Sequence, residues 1–238
     1  MNHCRIHPPG PAVDSGLVAR LSALPTSIIS DAQERVGGGP GILPVAPLPA
    51  GRSFGGRALT VRTRAGDNLV VHQALRMLEP GEVLVIDAGG ATDRAILGEI
   101  MVRYARARGA AGIVVDGAVR NRDGIAVEEL PVLARGITHL GPYKCGPGEI
   151  RGTVQLGGTT VRTGDVIVFD ADGFVAVESD RAAVIADRAE ERLRLEEGML
   201  VSASAGATDY AWLDAALVLE GVAPEASVDV DGGRRERS

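Results

Sequence analysis

The sequence predicts an α/β fold built as a single layered domain, and three observations carry that prediction. The runs EVLVID at 82–87 and GIVVDG at 112–117 are apolar through their centres rather than alternating, the pattern of strands covered on both faces. Each follows a segment of helical period, LVVHQALRM before the first and IMVRYARAR before the second. Pro80–Gly81, Gly89–Gly90 and Gly109 supply the turns between helix and strand.

Composition bounds the function. A chain of 238 residues hides roughly 70% of its unfolded surface on folding, so a sizeable core is available. Aromatics are only 3%, so Val, Leu, Ile and Ala must build that core. The net charge is −6 and no basic patch is interleaved with aromatics, which excludes nucleic acid as an expected partner. Cys4 and Cys145 fit no metal or redox spacing and read as free thiols. No apolar run reaches the ~18 residues of a membrane span. The first residues lack the apolar centre of a signal peptide, so a cytoplasmic location is expected.

Taken in order, residues 1–14 read as a flexible arm rich in proline. A helix is expected from Ser15, with Leu17, Val18 and Leu21 as its stripe, and a second from Thr26 or Ser27, ended by Gly37 to Gly39. A strand over Arg57 to Arg62 follows the proline-rich stretch. Asp67 or Asn68 caps the next helix. Residues 91–109 read as a helix with Ile96, Ile100, Met101 and Tyr104 on one side, well formed only from Gly98 or Glu99. Beyond Asp123 the pattern turns to short β runs joined by Gly-Gly, Thr-Gly-Asp and Asp-Gly turns. From Asp180 the helical period returns, with Val184, Ile185, Arg188, Arg192 and Leu195 sharing a face. The domain is expected over 15–206, a C-terminal helix with Trp212 inward over 207–223, and a disordered tail over 224–238.

Chemistry concentrates between Gly89 and Asp123. A helix starting at Gly98 to Glu99 leaves the amides of Ile100 and Met101 unpaired, and such a terminus binds carboxylate or phosphate. Arg120, directly after a buried strand, can close on the same anion. Oxygens of Glu99, Asn121 or Asp123 can hold a hard cation such as Mg²⁺. A structural Arg–Glu pair explains the same residues. Arg103, Arg106 and Arg108 read as a solvated face, His72 as a packed histidine, and His139 as a turn residue. Asp170 and Asp172 read as a β-turn, and Asp116 as the end of a strand.

The run GGATDRAILGEIMVRYARARGAAGIVVDGAVRN resembles the RraA-like family, which includes the class II 4-hydroxy-4-methyl-2-oxoglutarate aldolases. SDA at 30–32, GRALTV at 56–61, DN at 67–68, LPVLARG at 130–136 and GGTTVRTGDVIVFDADGFVAV at 157–177 look like further landmarks of it. The resemblance implies a swivelling β/β/α domain assembled as a homotrimer or a dimer of trimers, with sites at subunit interfaces. It implies cleavage of a pyruvoyl or 2-oxo acid substrate, by retro-aldol reaction or by oxaloacetate decarboxylation, with Mg²⁺ or Mn²⁺. Arg120 matches the arginine that binds the substrate carboxylate, with Gly98, Ile100 and Met101 beside it. Glu99 matches the first acid, acting on the metal through water. Asn121 stands where the aldolases have a metal-binding aspartate, and brings no charge. Glu196 looks like the glutamate lent by a neighbouring subunit, or else belongs to a solvated helix face. Two other readings stand beside the lyase: a non-catalytic binding or regulatory protein, and a family member retooled for isomerisation or dehydration of an oxo acid.

Overall fold

The computed structural model describes residues 3–208 and 210–218. The chain opens with β1 (Cys4–Ile6), α1 (Ser15–Ser22), α2 (Thr26–Ala32), β2 (Leu43–Pro44), β3 (Phe54–Thr63) and α3 (Leu69–Met77). Next come β4 (Glu82–Asp87), β5 (Ala95–Leu97), α4 (Glu99–Ala107), β6 (Gly112–Val119) and α5 (Arg122–Ala126). The short β runs follow as β7 (Val132–Ile137), β8 (Gly148–Ile150), β9 (Val154–Leu156), β10 (Thr159–Val161), β11 (Val166–Asp170) and β12 (Gly173–Val177). Two helices, α6 (Ala182–Ser204) and α7 (Ala211–Ala216), close the described chain.

Parallel pairing of β3 with β4, β4 with β6 and β6 with β7 makes the centre of the main sheet. Strands β4 and β6 are buried at every position, which is why their sequences do not alternate. The side-chain period of two still sorts them by face. Leu84, Ile86, Ile113 and Val115 meet Val71 and Ala74 of α3 and Val102 and Ala105 of α4. Val83, Val85 and Val114 point the other way, into Val154, Leu156, Val161, Ile167 and Phe169 of the β-rich layer. A third cluster joins Leu21 of α1 and Ile28 and Ile29 of α2 to Val166 and Val168 of β11 and Ile185 and Ala189 of α6. Helices lie on one face of the central sheet and β hairpins on the other, the layering expected for a β/β/α domain.

The hairpin β11–β12 turns at Asp170 to Gly173, as its FDADG sequence predicts. Asp170 also has a longer reach. Its buried carboxylate accepts from the Thr26 amide at 2.8 Å and the Thr26 hydroxyl at 2.7 Å, so the start of α2 is capped from across the chain rather than by Thr26 or Ser27.

The structure corrects several sequence expectations. Residues 4–6 of the supposed arm form a strand parallel to β8. Helix α2 ends before the glycines, because Glu34 and Arg35 adopt left-handed φ of 62° and 64°. Residues 95–97 pair with β6 as a strand instead of opening a helix. Helix α4 buries Met101, Val102 and Ala105, while Ile100 is 84% exposed and Tyr104 is exposed beside it. On α6 the buried face is Ala182, Ile185, Ala186 and Ala189, with Val184 and Leu195 outward. Trp212 is 65% exposed rather than packed inward. Asp116 lies within β6, not at its end.

The chain divides into two compact units, residues 1–195 and 196–238. The described part of the second contains the end of α6 and the short α7. The expected tail and the last residues of the expected C-terminal helix lie outside the described residues.

Replacing Asp170 by alanine removes both bonds to Thr26 and leaves a buried amide and hydroxyl without acceptors. We predict a loss of about 2 kcal/mol in urea unfolding, with an unchanged far-UV spectrum.

Candidate active site

Arg120 is the first exposed residue after eight buried ones, and its placement follows from strand pairing. Its amide donates to the Leu97 carbonyl at 3.0 Å, continuing the β5–β6 ladder by one step. That bond sets Arg120 directly against Gly98, the N-cap of α4. A Cβ on Gly98 would lie 3.0 Å from Arg120 Cγ, and one on Gly141 would lie 3.0 Å from Arg120 Nη1. The arginine therefore runs past two positions that have no side chain. Gly98 has φ −152°, extended backbone open to any residue, so space rather than conformation calls for glycine there.

The guanidinium borders a cavity of about 310 Å³. Asn68, the N-cap of α3, and His72 within it form one wall, Leu97 to Met101 the floor, Arg120 and Asn121 the strand end, and Gly141, Pro142 and Lys144 the opposite loop. The sequence-predicted group of Gly98, Glu99, Ile100, Met101, Arg120 and Asn121 thus lines one cavity. One detail differs: the Met101 amide is not free, since it donates to the Gly98 carbonyl at 3.0 Å. The amides of Glu99 and Ile100 are left without an intrahelical acceptor, and with Arg120 they make the floor attractive to an anion.

Among the described residues Glu99 is the one carboxylate on the cavity wall. Its Oε1 accepts from Arg103 Nη2 at 2.9 Å. Arg103 is held in turn by Glu128, a buried carboxylate 2.6 Å away that also pairs with Arg106 at 3.4 Å. The hydrogen bond to Glu128, then its charge, raises the Arg103 pKa above its ordinary value. Arg103, Arg106 and Arg108 do form an exposed face, as expected, but it is a bonded one: the first two pair with Glu128 and Arg108 reaches the Leu78 carbonyl at 2.9 Å.

Asn121 sits in the left-handed region, φ 60° and ψ 49°, as N-cap of α5, and its side chain makes no capping bond. Asparagine and aspartate tolerate that conformation better than most residues. Asp123 lies in the first turn of α5 and does not reach the cavity wall, and neither does His139. Glu196 belongs to the second unit, on the last part of α6.

Asn68 and Lys144 escaped sequence reasoning. Asn68 is 3% exposed, makes no capping bond, and points Nδ2 at Met101 Sδ, 3.4 Å away. Its Oδ1 has no hydrogen-bond partner among the described residues, an open acceptor at the cavity wall. Lys144 carried a compositional signal, since every other residue among the 25 Lys and Arg is arginine. Lys144 brings a compact ammonium, rather than a planar guanidinium, to the cavity wall. His72, expected in the core or at an interface, is not in the core: it is exposed on the cavity wall. Desolvation by the wall, then the charge of Lys144, pushes its pKa below the ordinary 6.5.

Among the described residues no group of three or more His, Cys, Asp and Glu converges. One carboxylate, Glu99, and two amides, Asn68 and Asn121, on the cavity wall suit a hard cation that takes most of its oxygens from water and substrate, as Mg²⁺ does. The residues fit such an ion, loosely held.

Fold and cavity together define an α/β protein with a cavity lined by Arg120 and the start of α4 at the carboxyl end of a parallel strand. The chain belongs to the RraA-like family: the family model described as Aldolase/RraA matches residues 26–176. A protein of Halalkalibacterium halodurans named "Putative 4-hydroxy-4-methyl-2-oxoglutarate aldolase" is 34% identical over 175 residues, 74% of this chain and 82% of its own. An uncharacterized protein from Pseudomonas syringae pv. tomato superposes with a TM-score of 0.75 at 27% identity, covering 83% of this chain and 92% of that one. The RNA-processing inhibitor RraA from Thermus thermophilis gives 0.58 at 29% identity, over 64% and 92%. No helix among the described residues is long and apolar enough to cross a membrane.

The His72 shift fixes the sign of a pH effect. The folded chain takes up the His72 proton less readily than the unfolded chain, so this group's contribution is complete above about 6.5 and is lost as pH falls through the lowered folded value. By NMR, the His72 ring should titrate below 6.5, and Lys144→Met should move it upward. His72→Gln should remove its share of the acid-side decline in the urea midpoint.

Proposed function

We propose that the chain is a carbon–carbon lyase acting on 2-oxo acids that carry a pyruvoyl group. The reactions are retro-aldol cleavage of substrates of the 4-hydroxy-4-methyl-2-oxoglutarate type and decarboxylation of oxaloacetate. The observation that carries this reading is the placement of Arg120, run between Gly98 and Gly141 to the start of α4. A 2-oxo carboxylate accepts a bidentate bond from the Arg120 guanidinium and a further one from the Ile100 amide. The relatives' aldolase names agree with such a substrate.

Asn121 Oδ1 and, through water, Glu99 would hold a divalent cation, Mg²⁺ or Mn²⁺. When bound, that ion polarises the 2-oxo oxygen. In the retro-aldol reaction the C4 hydroxyl loses its proton and the C3–C4 bond breaks. The electron pair moves toward the 2-oxo carbonyl, and C3 then takes a proton to give pyruvate. In decarboxylation the same bond releases CO₂. Glu99, steadied by Arg103, moves the proton through a water, with Glu196 of a second copy as the alternative carrier. We place this chemistry in a cytoplasmic homotrimer or dimer of trimers.

A second reading is a non-catalytic binding or regulatory protein, favoured by the neutral Asn121 and by the charge that Arg103 already takes from Glu99. Pyruvate release from oxaloacetate and from 4-hydroxy-4-methyl-2-oxoglutarate separates the two. The lyase requires release that rises with Mg²⁺ or Mn²⁺ and stops with chelator, whereas a stable oligomer without release favours the binding role. Because Asn121 supplies no charge, Asn121→Asp should tighten Mn²⁺ at least tenfold by calorimetry, without disturbing the left-handed turn.

A further inference from the structure

We propose that Asp67 is a positioning residue, a buried staple that holds the two walls of the cavity in register and so sets its affinity for an oxo acid. The proposal rests on the reading of the cavity given above.

Asp67 is fully buried and forms no salt bridge among the described residues. Its charge rests on backbone amides alone. Oδ1 accepts from Leu69 at 2.9 Å, in the first turn of α3. Oδ2 accepts from Cys145 at 2.6 Å and from Gly146 at 3.0 Å, on the loop that leads into β8. Around the side chain the two segments also pair as backbone: the Asn68 amide donates to the Tyr143 carbonyl at 3.1 Å, and the Tyr143 amide to the Gly66 carbonyl at 2.8 Å. One carboxylate therefore joins the wall bearing Asn68 and His72 to the wall bearing Gly141 and Lys144.

Arg94 also holds the start of this loop, donating to the Gly141 carbonyl at 2.9 Å and lying 4.2 Å over the Tyr143 ring, while Asp67 is the side chain that reaches Cys145 and Gly146. Tyr143, Lys144 and Cys145 are all exposed, and the loop must keep Gly141 close to Arg120 and Lys144 at the rim. A carboxylate suits the task because both oxygens only accept, and three donors converge on them. Asparagine has the same shape but must turn its amide N–H₂ toward either the Leu69 donor or the Cys145 and Gly146 donors. Asp67→Asn is thus an isosteric test of the staple.

Hydrogen exchange gives the first readout. In the wild-type chain the Cys145 and Gly146 amides should exchange at least a hundredfold more slowly than the Lys144 amide beside them. In Asp67→Asn both should lose that protection while amides of β4 and β6 keep theirs. Oxalate, a small dicarboxylate, gives the second: its calorimetric Kd, with Mg²⁺ present, should rise about tenfold in the variant. If the wild type turns over oxaloacetate, KM should rise similarly, with kcat changed less than threefold. Unprotected Cys145 and Gly146 amides in the wild type overturn the staple even if the variant fails to fold. Unchanged oxalate affinity and KM in a folded variant overturn the positioning role. A wild-type chain that neither binds oxalate nor releases pyruvate refutes the oxo-acid reading instead, and exchange alone then judges the staple.

Discussion

The constraint on which this molecule depends is the complete burial of β6. Eight consecutive residues, Gly112 to Val119, are shielded on both faces and paired along both edges, with β4 and β5 along one edge and β7 along the other. A strand so enclosed cannot slip, because a shift of one residue would turn every side chain to the opposite face. Its first exposed residue is consequently fixed in space, and that residue is Arg120. The ladder bond from Arg120 to Leu97 then ties the arginine to the start of α4. A rigid core thereby places a cation and a helix terminus beside one another at a surface, with no need for either to be rigid by itself.

Charge around the cavity is arranged in tiers. Glu128 is buried and holds Arg103 and Arg106, and Arg103 in turn steadies Glu99 at the cavity wall. An exposed pair such as Arg103 with Glu99 contributes little to stability in water. Its consequence is orientation: the single carboxylate of the cavity is kept near the left-handed turn of Asn121. Arg120, by contrast, has no carboxylate within ion-pair distance among the described residues, which leaves its donors available to an incoming anion.

The α/β class and the central parallel strands were legible because β4 and β6 have sequences that only a doubly covered strand explains. The grouping of Arg120 with the start of α4 was legible for the same reason, since Arg120 directly follows such a run and Gly98 to Met101 line the same cavity. What misled was short or depends on distant chain. The three residues Ala95 to Leu97 are too few to show a period, and their identity as strand comes from β6, not from themselves. Ile100 and Tyr104 fit an apolar stripe yet face outward, because α4 docks through smaller Val102 and Ala105. The strand at Cys4–Ile6 exists only because β8 presents an open edge. Asn68 read as a helix cap, and its buried open acceptor is visible only once Met101 packs against it. The lone Lys144 is visible in composition, but its place on the cavity wall comes only from the fold.

The central claim is that the Arg120 guanidinium anchors the substrate carboxylate. The measurement that meets it most directly is steady-state pyruvate release from oxaloacetate by wild type, Arg120→Ala and Arg120→Lys, alongside their thermal unfolding. The account predicts that Arg120→Ala lowers kcat/KM at least a hundredfold, about 2.7 kcal/mol of lost transition-state binding, with an unfolding temperature near that of wild type. Arg120→Lys should restore only a small part, because an ammonium cannot make the paired bonds of a guanidinium. Pyruvate release from a folded Arg120→Ala chain at the wild-type rate would contradict it.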